Sequence, residues 1–371
     1  MLLCENNFVA YSILKYYMNK LSIILQGGGT KCAYQLSFLK NLQENNEFME
    51  NTQIDSIYGT SFGALVGYFY CIDRIDLLLK FFKELTDKSL KPWFNFFNIA
   101  DYLKKIPIIG KLVDLITNMI WLLMSIKRKS FFDQYSSTGN LLYVKLNTIQ
   151  EENLKKFNCC VYNITKQQTE YINGSHPLIK EYILASSALW IVFQPKLIRK
   201  LKCECVCNDE CIGCSGCEYN DFKKNPTDQL LEEFCCTCQN INHKYNEYLD
   251  GGYMAPIPFI PEDNYTGKYL ILTTKDLNKI IKKDLIFTNS GKHMFEYLDQ
   301  MIAYLIEYNQ YIELNHVNKD KYNRDDVILI TYNSIHDDPT IVDQKIIEEY
   351  LTNGTELANE FLSNYLNNCN R

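Results

Sequence analysis

The chain has 371 residues, of which 47% are hydrophobic and 22% are charged, a composition typical of a globular protein with a substantial core. Its net charge of −6 and pI near 5.5 argue against a nucleic-acid-binding protein, which would carry a basic surface. Residues 1–20 lack the basic start and the small-residue cleavage site of a secretory signal. The most apolar stretch, Leu115–Ile126, has 12 residues, whereas a membrane-spanning helix needs about 20. These features predict an intracellular protein, cytoplasmic or peripherally bound to a membrane, without a signal peptide or transmembrane helix.

The first 75 residues alternate between predicted strands and helices. A short amphipathic helix at 8–18 precedes an apolar strand at Leu21–Leu25, which runs into the glycines Gly27–Gly29 and then into a helical pattern. A second short strand, Ile54–Tyr58, is also followed by a glycine-containing turn and by the helical run Ala64–Ile72. Two strand–turn–helix units predict an α/β domain with a mostly parallel central sheet.

The rest of the chain contains weaker elements and two segments of unusual composition. Segment 88–129 is basic and aromatic, and segment 203–243 is rich in cysteine and has little periodicity. We detect no internal repeat, so the simplest division is one α/β domain over 20–366 that contains both segments. Further strands are predicted at 141–144, 160–162, 269–273 and 327–332, and further helices at 178–187, 293–313 and 344–366.

The stretch Gly59-Thr60-Ser61-Phe62-Gly63 matches the G-x-S-x-G nucleophile elbow. In that turn the serine hydroxyl is lifted between a strand and a helix, and the two glycines are needed because a β-carbon at either position would crowd the turn. The positive N-terminal end of the following helix favours negative charge beside the serine. A glycine-rich structural turn is the alternative interpretation. The position after an apolar strand and before a helix favours a nucleophile at Ser61.

The stretch Gly27-Gly28-Gly29-Thr30-Lys31 also follows a strand and opens a helix. Consecutive glycines leave backbone N–H groups free to converge on an anion, as an oxyanion hole requires. The same turn could equally bind a phosphate. It matches neither the P-loop nor the dinucleotide-binding fingerprint.

Three motifs in this order resemble the signature of patatin-like phospholipases: a glycine-rich turn, a G-T-S-x-G elbow about 30 residues later, and a distant D-G-G. The small-residue stretch Ile183–Ala188 and the helical stretch Asn353–Ala358 are also similar to that family, so the resemblance covers roughly residues 20–365. The three motifs are Gly27–Lys31, Gly59–Gly63 and Asp250-Gly251-Gly252.

The resemblance implies a three-layer α/β/α hydrolase that cleaves fatty-acyl esters of lipids in the manner of a phospholipase A. It implies a Ser–Asp dyad without histidine, in which Asp250 is the general base for Ser61 and an acyl-enzyme forms, with no cofactor for catalysis. The oxyanion donors would be Gly27, Gly28 and Gly29. The other motif residues are Lys31, Gly59, Gly63, Gly251 and Gly252.

Two features leave alternatives open. Cys32 stands where the family usually has the last glycine of the turn, so a positive φ at this position would be strained. His336 follows both Ser61 and Asp250 in the chain, so a Ser–Asp–His triad remains an alternative to the dyad. The alternative functions are a neutral-lipid or triacylglycerol esterase with the same mechanism, and an inactive, zinc-stapled binding protein on the same fold.

Segment 88–129 has eight Lys/Arg against two Asp, a net charge of +6, and it contains Trp93 and Trp121 among other aromatic residues. Basic charge combined with aromatic residues suits a membrane interface, so a lid that contacts a peripheral membrane surface is predicted. The alternative is a helical hairpin whose aromatic residues pack into the core.

Segment 203–243 offers ten potential metal ligands in 41 residues. Short C-x2-C pairs and the absence of a secretory signal favour structural zinc over disulfides, although disulfides or free thiols remain the alternative. The candidate ligands are Cys203, Cys205, Cys207, Cys211, Cys214, Cys217, Cys235, Cys236, Cys238 and His243.

Overall fold

The structure is a computed structural model that describes residues 19–84, 142, 151–188, 195–199, 245–260, 265–274, 324–332 and 343–369. The strands are β1 (Asn19–Leu25), β2 (Thr52–Thr60), β3 (Phe157–Asn163), β4 (Gln168–Asn173), β5 (Lys196–Arg199), β6 (Tyr245–Asp250), β7 (Lys268–Thr273) and β8 (Val327–Thr331). The helices are α1 (Ala33–Glu44), α2 (Asn46–Asn51), α3 (Phe62–Cys71), α4 (Ile75–Glu84), α5 (Glu151–Leu154), α6 (Ile179–Ser186) and α7 (Gln344–Cys369).

All eight strands form one sheet with the order β5-β6-β3-β2-β1-β7-β8, and β4 also pairs with β3. The pairs from β3 through β2, β1 and β7 to β8 are parallel. The pairs of β3 with β4 and β6, and of β5 with β6, are antiparallel. The prediction of a mostly parallel sheet is therefore wrong, and the sheet is mixed. The physical reason is that β4 follows β3 through a short turn, which permits only antiparallel pairing.

The main core lies between one face of the sheet and the helices. Alternate residues of β1, namely Leu21, Ile23 and Leu25, point into this core, as period-2 alternation requires. Helix α3 is buried along its whole middle, and α7 packs along α1, so both ends of the described chain contribute to the same core. The chain turns between α1 and α2 at Asn45, whose side chain accepts a hydrogen bond from the Phe48 amide at 2.8 Å and caps α2.

The opposite face of the sheet carries a smaller apolar cluster. Ile24 and Ile271 from the sheet pack there against Ile257 and Phe259, which belong to the irregular segment 255–260. Within the described residues, all helices of the core lie on the first face. Of the three predicted layers, the described residues therefore show two, the sheet and one layer of helices.

Most predicted elements are present where the structure describes them. The strands predicted at 160–162, 269–273 and 327–332 correspond to β3, β7 and β8, and the helices predicted at 178–187 and 344–366 correspond to α6 and α7. The strand predicted at 141–144 is wrong at Leu142, the one residue described there, which is buried and helical.

Several predictions fall outside the described residues. These are the helices at 8–18 and 293–313, the whole of the basic segment 88–129, and the cysteine-rich segment 203–243 with its candidate zinc ligands. Among the helices that the structure describes, none combines the length and the apolar content that crossing a membrane requires.

Candidate active site

Ser61 occupies a sharp turn between β2 and α3. Its backbone has φ 56° and ψ −131°, a region that residues other than glycine rarely adopt. A β-carbon on Gly59 would lie 2.6 Å from Cα of Ala64, and one on Gly63 would lie 2.6 Å from the carbonyl oxygen of Leu25. Both glycines are therefore required by close packing of the backbone, and the turn has the geometry that the G-x-S-x-G pattern predicts.

Asp250 is the last residue of β6, and its side chain is hydrogen-bonded to that of Ser61. The carboxylate Oδ1 also accepts a hydrogen bond from the Gly252 amide at 2.7 Å. Burial disfavours the charged carboxylate and raises the pKa of Asp250 from 3.8 to about 7, although the hydrogen bonds from Ser61 and Gly252 oppose this rise. A serine hydroxyl thus meets a carboxyl group whose pKa lies near neutral pH.

The register of β3 explains why these two residues meet. Strand β4 pairs with β3 over 158–163 and covers one edge of it, so β2 and β6 share the other edge. Thr60 of β2 lies opposite Cys160, and Asp250 of β6 lies opposite Val161. The two strands run toward each other along this edge, so both end at the same point of the sheet.

The glycine-rich turn lies directly beside the nucleophile elbow. A β-carbon on Gly27 would come within 2.8 Å of Cβ of Ser61, and one on Gly28 would lie 2.6 Å from the Thr274 side chain. The Thr274 hydroxyl donates a hydrogen bond to the Gly27 carbonyl oxygen at 2.8 Å. Thr274 follows β7, so the end of a neighbouring strand holds this turn against Ser61.

The backbone amides of this turn are not equivalent. The Gly27 amide donates to the Pro256 carbonyl oxygen at 3.4 Å. Within the described part of the chain, the amides of Gly28 and Gly29 donate to no backbone carbonyl oxygen, and the Gly28 amide donates to the Cys32 sulfur. Gly29 has φ 56°, which a glycine adopts without strain.

Lys31 and Cys32 follow the turn, and both are buried. Cys32 has φ −62° and ψ −7°, an ordinary right-handed conformation, so a cysteine fits without strain where the family usually has glycine. Its thiol donates to the Gln26 carbonyl oxygen at 3.6 Å. Burial, and then the nearby charge of Asp250, raise the pKa of the Cys32 thiol well above its usual range. The thiol is therefore protonated and packs as a small apolar side chain.

A model of the patatin-like phospholipase family matches residues 23–261, which is more than half of the chain and includes the glycine turn, the elbow and the D-G-G. The chain belongs to this family. Membership implies a lipid acyl hydrolase. Among solved structures, the crystal structure of VipD from Legionella pneumophila matches with 14% sequence identity and a TM-score of 0.36, over 93% of this chain and 67% of that chain. No curated protein sequence matches the chain.

The patatin-like site also contains contacts that the sequence analysis missed. Segment 251–256 leads away from Asp250 and binds the other two motifs, because the Thr60 hydroxyl donates to the Ala255 carbonyl oxygen at 3.1 Å and the Gly27 amide donates to Pro256. Because the acceptors are backbone carbonyl oxygens, which every residue type has, the sequence carries no direct signal for these two contacts. Only the proximity of this segment to the D-G-G could have indicated it.

Ser186, at the end of α6, is the second group that was missed. Its hydroxyl oxygen accepts a hydrogen bond from the Ser61 amide at 2.8 Å. In the sequence, Ile183–Ala188 is recognisable only as a small-residue stretch similar to the family. Two adjacent serines directly after the apolar run Tyr182–Ala185 are the signal that could have identified a buried polar contact there.

Most histidines and all candidate zinc ligands lie outside the described residues. Of the five histidines, the structure describes His176, whose ring packs edge-on against Tyr182 and whose Nδ1 accepts from the Leu178 amide at 3.1 Å. His336 lies outside the described residues, so the triad alternative stays open. No group of three or more potential metal ligands occurs among the residues that are described.

Proposed function

We propose that this patatin-like protein is a phospholipase A-type enzyme that cleaves fatty-acyl esters of phospholipids, with Ser61 as nucleophile and Asp250 as general base. One observation carries the proposal: the Ser61 side chain is hydrogen-bonded to a buried carboxyl group whose pKa is raised to about 7. A carboxylate with an ordinary pKa near 4 is a weak base toward a hydroxyl group. A pKa near the working pH makes the proton transfer more favourable while the carboxylate is still partly ionised.

In the proposed reaction, Ser61 Oγ attacks the ester carbonyl carbon while its proton moves to Asp250. The carbonyl oxygen becomes an oxyanion that accepts hydrogen bonds from the turn. The tetrahedral intermediate then breaks the bond to the alcohol, which takes the proton from Asp250 and leaves as the lysolipid. A water molecule next gives its proton to Asp250 and attacks the acyl-enzyme. Ser61 recovers its proton from Asp250 as the fatty acid leaves.

The oxyanion donors in this scheme are the amides of Gly28 and Gly29, and the Gly28 amide would exchange the Cys32 sulfur, a weak acceptor, for the oxyanion. Gly27 was predicted as a third donor, but its amide already donates to Pro256 and would have to exchange that partner. The Ser61 amide donates to Ser186, so it is directed away from this role. Removing one oxyanion donor typically lowers kcat by about 100- to 1000-fold, so the two glycine amides would be a major part of catalysis.

A serine-directed fluorophosphonate probe tests the proposal, because it labels only an activated nucleophile. We expect labelling of the purified protein, with the adduct on the peptide that contains Ser61. Ser61→Ala should abolish labelling and ester hydrolysis, and Asp250→Asn should lower both strongly. Ser56→Ala is a matched control, because Ser56 lies on β2, the strand that leads into Ser61, and its hydroxyl is hydrogen-bonded to that of Ser22 at 2.5 Å. An adduct on another serine, or activity of Ser61→Ala above a tenth of wild type, would refute the assignment.

The same protein distinguishes the alternative functions. Initial rates on phospholipids and on triacylglycerols separate a phospholipase from a neutral-lipid esterase. An unlabelled wild-type protein that hydrolyses no ester would favour the inactive binding protein. His336→Ala should keep full activity if the dyad is sufficient, and its inactivity in folded protein would favour the triad.

Engagement of a membrane surface remains a proposal, supported by the +6 charge and the two tryptophans of segment 88–129. Replacing Trp93 and Trp121 with alanine should reduce activity on anionic phospholipid vesicles and spare a soluble short-chain ester. If activity on both substrates fell equally, the tryptophans would instead belong to the core.

A further inference from the structure

Ser186 connects the nucleophile elbow to the third strand of the sheet. Its side chain is fully buried at the end of α6. The hydroxyl oxygen lies 2.8 Å from the Ser61 amide nitrogen and 2.6 Å from the Cys160 carbonyl oxygen. A single hydroxyl group thus bridges the backbone of the proposed nucleophile and the backbone of β3.

The direction of both hydrogen bonds is determined by the partners. A backbone amide can only donate and a carbonyl oxygen can only accept, so the hydroxyl accepts from Ser61 and donates to Cys160. Because the hydroxyl proton is committed to Cys160, a lone pair of the oxygen points to the Ser61 amide. No other orientation of the Ser186 hydroxyl satisfies both neighbours.

This contact holds Ser61 at the point where its backbone is strained. A residue other than glycine in a sparsely populated region of φ and ψ costs about 1–3 kcal/mol and persists only when its surroundings hold it there. Ser61 has φ 56° between two close-packed glycines, and its amide direction follows from that conformation. An acceptor placed at the amide by a buried helix end stabilises the strained turn.

The same end of α6 also contacts the other member of the proposed dyad. The Asp250 amide donates to the Ala188 carbonyl oxygen at 3.3 Å, two residues after Ser186. Cys160, the acceptor of the Ser186 hydroxyl, lies against Gly251, where a β-carbon would come within 2.5 Å of the Cys160 carbonyl oxygen. The backbones of both proposed dyad residues therefore contact this segment: the Ser61 amide donates to Ser186, and the Asp250 amide donates to Ala188.

We propose that Ser186 is a positioning residue for Ser61: its buried hydroxyl links the Ser61 amide to Cys160 and so maintains the distance between Ser61 Oγ and Asp250. This inference rests on the proposed role of Ser61 as nucleophile. Ser186 touches neither substrate nor the reacting atoms in this scheme, and it acts only through the backbone of Ser61.

Ser186→Ala should therefore lower kcat and leave KM nearly unchanged. Without its acceptor, the Ser61 amide can reorient, and a nucleophile misplaced by about 1 Å can lose on the order of 100-fold in rate. The acid limb of the pH–rate profile, where the rate rises with pH, should also move. Because the hydrogen bond from Ser61 lowers the pKa of Asp250, weakening it raises that pKa and shifts the acid limb to higher pH.

Ser187→Ala is the matched control. Ser187 is also buried and directly follows the same helix, and its hydroxyl donates to the Ile183 and Leu184 carbonyl oxygens of that helix. Rates are divided by the concentration of folded protein, measured by circular dichroism. We expect Ser187→Ala to keep kcat within about twofold and to keep the acid limb in place. If Ser186→Ala does not fold, Ser186→Cys replaces it, since a thiol fills a similar volume but is a weak donor and acceptor.

Hydrogen-exchange mass spectrometry provides a readout that does not depend on activity. Peptides containing the Ser61 amide should exchange faster in Ser186→Ala than in wild type or Ser187→Ala. Unchanged kcat, acid limb and exchange in Ser186→Ala, or equal losses in both variants, would overturn the inference. If wild type itself neither hydrolyses esters nor binds the fluorophosphonate, the proposed function fails. The exchange result alone then decides whether Ser186 holds the Ser61 amide.

Discussion

Thr60 and Asp250 lie opposite neighbouring residues of β3, namely Cys160 and Val161, although they are far apart in the chain. Because β2 is parallel and β6 antiparallel to β3, the two strands end facing each other on one edge. Ser61 follows Thr60 directly, so its hydroxyl reaches the Asp250 carboxyl group. The antiparallel strand β6, which breaks the parallel pattern of the sheet, is therefore what completes the proposed dyad.

The first prediction is that kcat/KM rises with pH through an apparent pKa of about 7. Asp250 can accept the Ser61 proton only when it is ionised, so protonation should lower the rate about tenfold for each pH unit below the pKa. Rates on a soluble ester between pH 5 and 9 test this. Ser187→Ala should show the same limb as wild type. If kcat/KM instead rose through an apparent pKa near 4, the Asp250 carboxyl group would be far better solvated than its burial indicates.

The second prediction concerns stability, and it has the opposite dependence on pH. Because the pKa of Asp250 is raised in the folded state, the folded protein binds this proton more tightly than the unfolded chain. The stabilisation is fully present below about pH 4 and is lost as the pH rises through about 7. The difference between 3.8 and about 7 corresponds to on the order of 4 kcal/mol.

Asp250→Asn should remove this dependence, because asparagine does not titrate. Urea unfolding of wild type and Asp250→Asn at pH 5 and at pH 9 provides the comparison, since other titrating groups are common to both proteins. We expect the variant to gain stability relative to wild type at pH 9. A constant difference between the two proteins at both pH values would show that Asp250 is ionised in the fold at pH 5.

The glycine-rich turn after β1 and the nucleophile elbow after β2 were predictable, because the close contacts that require glycine involve residues near them in the chain or on the adjacent strand. Gly59 and Gly63 pack against backbone within a few residues of Ser61 or on the adjacent strand, and this need is visible as a spacing of glycines. Strand β6 was not predicted, because its buried positions are Asn246, Tyr248 and Asp250. A strand whose buried face is polar has no apolar alternation to detect.

The position of Ser186 could not be predicted for a different reason. Its hydrogen bonds to Ser61 and Cys160 depend on how the end of α6 meets two strand ends, and this follows from the tertiary packing of three separate segments. A serine in a helix is also common for reasons unrelated to function. The sequence therefore indicated the proposed reacting groups, whereas the contacts that position them became visible only in the fold.

The third prediction is that restoring glycine at position 32 does not improve the enzyme. Cys32 has a right-handed backbone conformation, so it gains nothing from the freedom of glycine. Cys32→Gly would leave a cavity beside Gln26 and add chain entropy to the unfolded state, and it should cost about 1–3 kcal/mol of unfolding free energy. Cys32→Ala separates the two effects, because it removes the thiol and keeps a β-carbon. A rise in kcat for Cys32→Gly would contradict the observed geometry of the turn.

The fourth prediction is that the purified protein carries about one or two zinc ions, bound by segment 203–243. Elemental analysis measures the metal, and replacing Cys214 and Cys217 with serine should lower its content. Cys71→Ser is the control, because Cys71 is a free, buried thiol in α3. A metal-free protein in which thiol titration finds these cysteines paired as disulfides would refute the prediction.

The fifth prediction concerns Gly354, where α7 crosses α1. A β-carbon on Gly354 would overlap with the Tyr34 carbonyl oxygen and the Ser37 hydroxyl of α1, so only glycine allows the two helices to approach this closely. Two effects of Gly354→Ala oppose each other. Alanine in a helix interior is favoured over glycine by about 1 kcal/mol. Overpacking of a close contact costs about 1–3 kcal/mol, and backbone atoms cannot move aside as a side chain can.

The overlap should therefore outweigh the helix propensity, and Gly354→Ala should lower the unfolding free energy by roughly 1–3 kcal/mol. Asn359→Ala is the control, since Asn359 is exposed on the same helix and gains the helix propensity without an overlap. Urea unfolding of both variants at one pH measures the difference. Because α1 begins directly after the glycine turn, strain at this crossing should also reduce esterase activity. A Gly354→Ala protein more stable than wild type would mean that α7 and α1 do not cross at Gly354.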